Sequence, residues 1–269
     1  SEVTGVAWHP DGNLIATTSN DHTCIIWNPH TGQKLTTITD HTSEVTGVAW
    51  HPDGNLIATT SNDHTCIIWN PHTGQKLTTI TDHTSEVTGV AWHPDGNLIA
   101  TTSDNHICIW NHEIGEEFTT LTGHTDTVTG VAWHPDGDLI ATTSWDRTCI
   151  IWNPHTTEKL TTLTGHTNPA TGVAWHPDGS LLATTSIDDT CIIWNPHTGE
   201  KLTTFTGHTH TVPGVAWHPD GTRIATASWD GTCIIWNPHT GEKLATLTGH
   251  TDDVIGVAWH PDGTRIATA

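Results

Sequence analysis

The sequence predicts an all-β fold of four-stranded antiparallel blades, and three observations predict it. The string Gly-Val-Ala-Trp-His-Pro-Asp-Gly occurs seven times, with its tryptophan at Trp8, Trp50, Trp92, Trp133, Trp175, Trp217 and Trp259, a period of 42 residues with one step of 41. A second marker, Ile-Trp-Asn, occurs six times, at Trp27, Trp69, Trp110, Trp152, Trp194 and Trp236. Turn residues divide each unit into four short segments, and apolar residues nowhere recur at the 3.6-residue spacing of an amphipathic helix. Repeats of this length stack as β-meanders around a ring, a β-propeller, and helical solenoids are disfavoured.

In the first unit the strands are expected at roughly 4–9, 14–18, 23–28 and 34–39. The first alternates small Gly5 and Ala7 with large Val6 and Trp8, which suits tight packing near a crowded axis. Pro10-Asp11-Gly12 turns the chain into the second strand. The third alternates Cys24 and Ile26 with Ile25 and Trp27, so both faces are apolar and expected to be buried between blades. Asn28-Pro29-His30-Thr31-Gly32 then leads into a Thr-rich fourth strand carrying Lys34, fit for an outer edge. The units run 1–42, 43–84, 85–125, 126–167, 168–209 and 210–251, with a partial unit at 252–269, and all are expected to form one domain, 1–269.

The composition excludes several classes of partner. Eight Lys and Arg against 29 Asp and Glu give a formal charge of −21, which repels nucleic-acid phosphates and anionic lipid headgroups. No apolar run is long enough to span a bilayer, and no basic segment followed by an apolar one opens the chain. The 34% apolar fraction is low, but 15 tryptophans supply large buried area per residue. Cys24, Cys66, Cys108, Cys149, Cys191 and Cys233 recur about once per unit at one matching place, too far apart to bridge. They read as small buried residues in a reducing, cytoplasmic setting, and metal-type CxxC spacing is absent.

Gly-His, then about two dozen residues, then Ser-x-Asp and a Trp closing a strand resembles the WD repeat, and the resemblance covers essentially the whole chain. It implies a hydrogen-bonded tetrad in each blade, with a buried histidine bridging Asp and Ser. The matching positions are His41, Ser61, Asp63 and Trp69; His124, Ser144, Asp146 and Trp152; His166, Ser186, Asp188 and Trp194; and His208, Ser228, Asp230 and Trp236. The sequence departs from the family pattern in two respects. Asn replaces the terminal Asp of the WD pair in all six units, and the unit containing Trp110 lacks one residue after Ser103, so its local turns should differ.

Six complete units end near Thr251, and 252–269 repeat only the first two strands of another. A seven-bladed ring with an incomplete last blade is therefore expected, the propeller portion of a longer bacterial protein. A six-bladed ring with a dangling hairpin, or completion of the blade by another chain, is the alternative.

Function is sought where near-identical copies disagree. The segment before each first strand varies, as at Glu44, Glu86, Asn168 and His210, and so does the turn between the second and third strands, as at Trp145, Arg147, Ile187, Asp189 and Trp229. The family resemblance places both sets at one end of the ring, its usual partner-binding face. Trp145, Ile187 and Trp229 are large and apolar in otherwise polar turns, which suits binding anchors or, alternatively, packing on the neighbouring blade. His9, His30 and their counterparts form an array, but any template residue recurs, and no tight ligand spacing marks a metal site. Repeated Ser, His and Asp read as structural networks and not as catalytic groups. The sequence thus predicts a non-catalytic platform for protein or peptide, without cofactor, the scaffold or sensor part of a bacterial signalling protein. A repeat-amplified or engineered ring without specific ligand, or a lectin-like glycan binder, is the alternative.

Overall fold

The computed structural model describes residues 2–113 and 115–269. Its strands form six four-stranded antiparallel sheets, each pairing strands in sequence order, and one two-stranded sheet. In blade 1 these strands are Val3–Trp8, Ile15–Ser19, Cys24–Asn28 and Gln33–Ile38, within a residue or so of the expected bounds. Blade 7 consists of Val257–Trp259 and Ile266–Thr268. No helix is long and apolar enough to cross a membrane among the described residues.

The turns follow from local chemistry. Gly12 closes the first turn by donating its N–H to His9 O at φ +77°, a conformation that costs a side chain about 1–2 kcal/mol. In the third turn Asn28 Oδ1 accepts the N–H groups of His30 and Thr31, so the asparagine that stands in place of the family's aspartate is a turn cap.

First strands surround the axis, and their glycines and valines line a narrow channel. Gly172 has no room for a methyl group: a Cβ there would lie 2.8 Å from Pro213 O in the next blade. Threonine hydroxyls bridge neighbouring first strands, as from Thr129 to Ala170 O at 2.8 Å and from Thr171 to Val212 O at 2.6 Å. Pro213 and Ile255 replace that threonine in blades 6 and 7, where the first strands are also shorter.

The core lies between blades. Ala16, Cys24, Ile26 and Ile38 of blade 1 pack on Trp50, Ile57, Ile67 and Trp69 of blade 2, and the pattern recurs around the ring. Third strands are buried on both faces in blades 2 to 5, as their apolar alternation predicts, whereas in blade 1 Ile25 and Trp27 are half-buried.

Each junction is also clamped by polar contacts. Trp50 Nε1–H donates to Ala7 O at 3.1 Å, and His9 Nε2 contacts Gly54 O at 3.1 Å while its ring lies edge-on to Trp50. The junction between blade 7 and blade 1 has the same contacts: Trp8 Nε1–H donates to Ala258 O at 3.2 Å, and His260 Nε2 lies 3.2 Å from Gly12 O. The alternative of a six-bladed ring with a dangling hairpin is therefore corrected. The hairpin is a wall of the ring, because these clamps need only first strands and the turns that follow them.

Blade 3 departs from the template. Its second turn is one residue shorter, with Ser103 opposite His106, so Ile107 takes the register position that Cys66 holds in blade 2. The pairing of second and third strands keeps its register, and Cys108 stands one residue nearer the tryptophan than the other cysteines, on the opposite face of the strand. Cys108 accordingly packs against Trp92 on the side facing blade 2, whereas Cys66 faces blade 3. The expectation that all six cysteines share one place is corrected for Cys108. All six are free and buried, and burial pushes the thiols of Cys24, Cys66 and Cys233 up to about 12, which removes the reactive thiolate.

Candidate functional site

Two groups of residues bear on function: the buried networks within blades, and the turns at one end of the ring. In blade 4 His124 Nδ1–H donates to Asp146 Oδ2 at 2.8 Å. Its Nε2 meets Thr142 Oγ1 at 2.9 Å, and that oxygen also accepts Trp152 Nε1–H at 2.9 Å. Ser144 stands aside: its hydroxyl donates to Asp126 O and accepts the Asp146 amide. The same arrangement joins His41, Asp63, Thr59 and Trp69, then His166, Asp188, Thr184 and Trp194, then His208, Asp230, Thr226 and Trp236. In each of these blades the imidazole bridges aspartate and threonine, and Ser61, Ser186 and Ser228 support the aspartate through its amide.

The threonine was missed in the sequence, where it is one of many. Its signal was the fixed Ala-Thr-Thr/Ala-Ser order, which places one hydroxyl two residues along from the residue paired with the tryptophan, within reach of the indole N–H. In blade 4 the carboxylate only accepts, so His124 Nδ1 carries a proton, and in the neutral ring that burial favours Nε2 accepts from the Thr142 hydroxyl while that oxygen accepts from tryptophan. Burial lowers the His124 pKa, outweighing the opposing bond and charge of Asp146. Burial alone would raise the Asp63 carboxyl, but bonds from Thr65, the Thr42 amide and His41 hold it below its usual range. Histidine, aspartate and a hydroxyl are in line here as in a hydrolytic site, yet Thr142 has no exposed surface for a substrate to reach.

Blade 3 lacks the aspartate. His83 Nε2 keeps its contact with Thr101 Oγ1 at 3.2 Å, but buried Nδ1 has no partner. Burial, together with His106 and His64, pushes its pKa down to about 4, against the pull of Asp82. Replacing His124 by Phe is therefore expected to cost about 2–4 kcal/mol, since it removes the imidazole bond to the Asp146 carboxylate and takes the acceptor from the buried Thr142 hydroxyl, while the same change at His83 stays within about 1 kcal/mol. Urea unfolding of the two variants checks this contrast, and equal losses would contradict it.

At the end of the ring, backbone bonds join the two variable sets directly. Trp145 N–H donates to Thr127 O at 2.9 Å, Ile187 N–H to Pro169 O at 3.0 Å, and Trp229 N–H to Thr211 O at 3.0 Å. Glu44 is tied to its turn by Asn62 Nδ2 at 3.2 Å. Arg147 and Asp189 follow at φ +72° and +66°, left-handed conformations that are strained for side-chain-bearing residues. Trp145 is 52% exposed and Trp229 40%, with the His210 ring 5.6 Å from the latter, whereas Ile187 is half-buried. Asn168, His210, Arg147, Glu44 and Glu86 are exposed. Other exposed large apolar residues, such as Leu35, Leu160 and Leu202, sit at one repeated position of the fourth strands.

Among the described residues no group of three or more His, Cys, Asp or Glu could hold a metal ion. The histidine array is instead divided among structural places: His9 and its counterparts clamp the junctions, His41 and its counterparts organise blades, and His30 and its counterparts stand exposed in turns.

A closed ring of β-meander blades with these internal networks defines a β-propeller. The profile for the echinoderm microtubule-associated protein second beta-propeller matches residues 3–164, and that for the WD domain, G-beta repeat, matches 157–195, 199–237 and 241–269. The chain belongs to the WD-repeat β-propeller family, whose members typically serve as non-catalytic interaction domains. No curated protein sequence matches it.

Proposed function

We propose that this propeller is a non-catalytic platform that binds a protein or peptide at the end of the ring carrying Trp145, Ile187 and Trp229. The observation that carries the reading is the exposure of Trp145 and Trp229 on turns tied to the ring by backbone bonds. The exposed leucines of the fourth strands recur with the template, but these two tryptophans occur only in blades 4 and 6. Exposed, backbone-anchored aromatic rings offer large contact area at low entropic cost. Arg147, Asp189, Asn168, His210, Glu44 and Glu86 supply the polar surroundings, and the overall charge of −21 favours a cationic partner. The wider setting we infer, the scaffold or sensor part of a bacterial signalling protein in the cytoplasm, is supported only by the resemblance to highly similar repeat arrays.

Selection of displayed peptides on the intact chain provides the probe. Trp145→Ala and Trp229→Ala are each expected to weaken a selected peptide about tenfold or more, while Leu160→Ala leaves binding unchanged. Undiminished binding by both tryptophan variants would overturn the assignment of this face.

A further inference from the structure

Blade 3 keeps the donors of the buried network without its acceptor. In blades 2, 4, 5 and 6 a single aspartate oxygen accepts two bonds. One comes from the imidazole Nδ1 of His41, His124, His166 or His208, at 2.9, 2.8, 3.0 and 2.8 Å. The other comes from the backbone amide of the next residue, Thr42, Thr125, Thr167 or Thr209, at 2.9, 3.0, 2.9 and 3.1 Å. These aspartate side chains are 8–11% exposed, so each carboxylate lies just beneath the surface.

In blade 3 the shortened turn reads Ser103-Asp104-Asn105-His106, so no carboxylate stands two residues after the serine. Asp104 does not replace it. That residue is exposed at φ +51°, its C=O accepts the Val128 amide, and its carboxylate makes no bond among the described residues. His83 is nonetheless only 5% exposed, with Nε2 on Thr101 as in the other blades and Nδ1 without a partner. Since Nε2 of the neutral ring accepts from the threonine hydroxyl, Nδ1 carries the proton. The Thr84 amide, the second donor, also meets no acceptor among the described residues. A buried donor left unpaired favours any acceptor that reaches it.

We propose that His83 Nδ1–H and the Thr84 N–H form a binding site for a carboxylate from outside the chain, either a free short-chain acid or the acidic side chain of a bound peptide. One carboxylate oxygen takes both bonds, in the geometry that Asp63, Asp146, Asp188 and Asp230 display in the same ring. In blade 2 the second oxygen is held by the amide and hydroxyl of Thr65, at 3.0 and 2.6 Å, and Thr65 O accepts the Ser61 amide. His106 takes that place in blade 3, opposite Ser103, and is half-buried, so its imidazole borders the ligand. His106 and His64 add attraction when protonated, and Asp82 opposes it; all three act on the charge of His83. The charge of −21 disfavours anions in general, so selectivity rests on the two converging donors. Two donors suit one carboxylate better than a phosphate or sulfate, which would bring further oxygens without partners. The site is independent of Trp145 and Trp229.

The test is titration of the intact chain with sodium formate at about pH 6, with ionic strength held constant by chloride, followed by the NMR resonances of the His83 ring and the Thr84 amide. Saturable shifts of both are expected with a Kd below about 20 mM, and saturating formate is expected to raise the His83 midpoint above its value of about 4. His83→Phe is expected to weaken binding at least about tenfold. So is exchange of residues 103–109 for the sequence of 61–68, which restores Ser-x-Asp and supplies the acceptor from the chain itself. Trp145→Ala is expected to change nothing. A blocked Gly-Asp-Gly peptide titrated in parallel separates the two sources. Tighter binding than formate assigns the site to acidic side chains, and weaker binding assigns it to small acids. No saturation by about 200 mM, equal shifts with chloride alone, or unchanged binding by either altered chain would overturn the proposal.

Discussion

Acidification from about pH 7 to about pH 4 is expected to lower the melting temperature of the ring steeply, with the loss beginning near the ordinary histidine pKa. His83 accounts for the largest single part. Above about pH 6.5 its imidazole is neutral in both folded and unfolded chain, so its burial is not penalised. Between 6.5 and about 4 the unfolded chain takes up a proton that the buried ring refuses, and unfolding gains about 3 kcal/mol by the lower limit. His41, His124 and His208 are depressed in the same direction, mainly by burial, and add to the loss. Below about pH 3.8 the aspartates follow. Asp63, Asp146 and Asp230 are held below their usual range in the fold, so the stability they contribute is lost as they are protonated. Against a total of about 5–15 kcal/mol for a typical domain, these losses are large. Calorimetry across this range checks the slope, and an NMR titration of His83 checks its midpoint. A flat melting temperature between about pH 7 and 5, or a His83 midpoint near 6.5, would contradict the argument.

Thr142→Val should destabilise the protein by roughly 2–5 kcal/mol although it preserves the shape of the side chain. The hydroxyl is the meeting point of His124 and Trp152, and neither ring has another partner for that nitrogen. Its removal leaves one donor and one acceptor unpaired where no water reaches, and each such group costs about 1–3 kcal/mol. Thr101→Val in blade 3 should cost less, since the His83 contact it breaks is already long at 3.2 Å and only Trp110 loses a good bond. Denaturant midpoints of both variants give the comparison. A loss under about 0.5 kcal/mol at Thr142 would show that the hydroxyl does not bridge the two rings.

The blades were legible because period, turn residues and two-residue alternation are all local signals, and in blade 1 every strand bound agrees within a residue or so. The residues that unite blades were less so. His9 looked like one member of a histidine array, yet it is 9% exposed and reaches Gly54, 45 positions away, a contact that only the packing of adjacent blades creates. Thr142 was hidden by abundance. The place of Cys108 can be read from the sequence, where one residue separates it from Trp110 and two separate cysteine from tryptophan in every other unit, and the strand register agrees. The variable turns were recognised as a set, but the bonds from Trp145 and Trp229 to the preceding segments depend on strand pairing.

The clamp from His260 to Gly12 has a consequence for the topology of the polypeptide as distinct from that of the ring. Since this junction is held by the same atoms as the other six, no blade is marked as the first by its contacts. The Asn-Pro-His-Thr-Gly turns lie on the surface and satisfy their own backbone groups, so they are the natural places for alternative ends. A circularly permuted chain opened there would carry every interblade clamp intact.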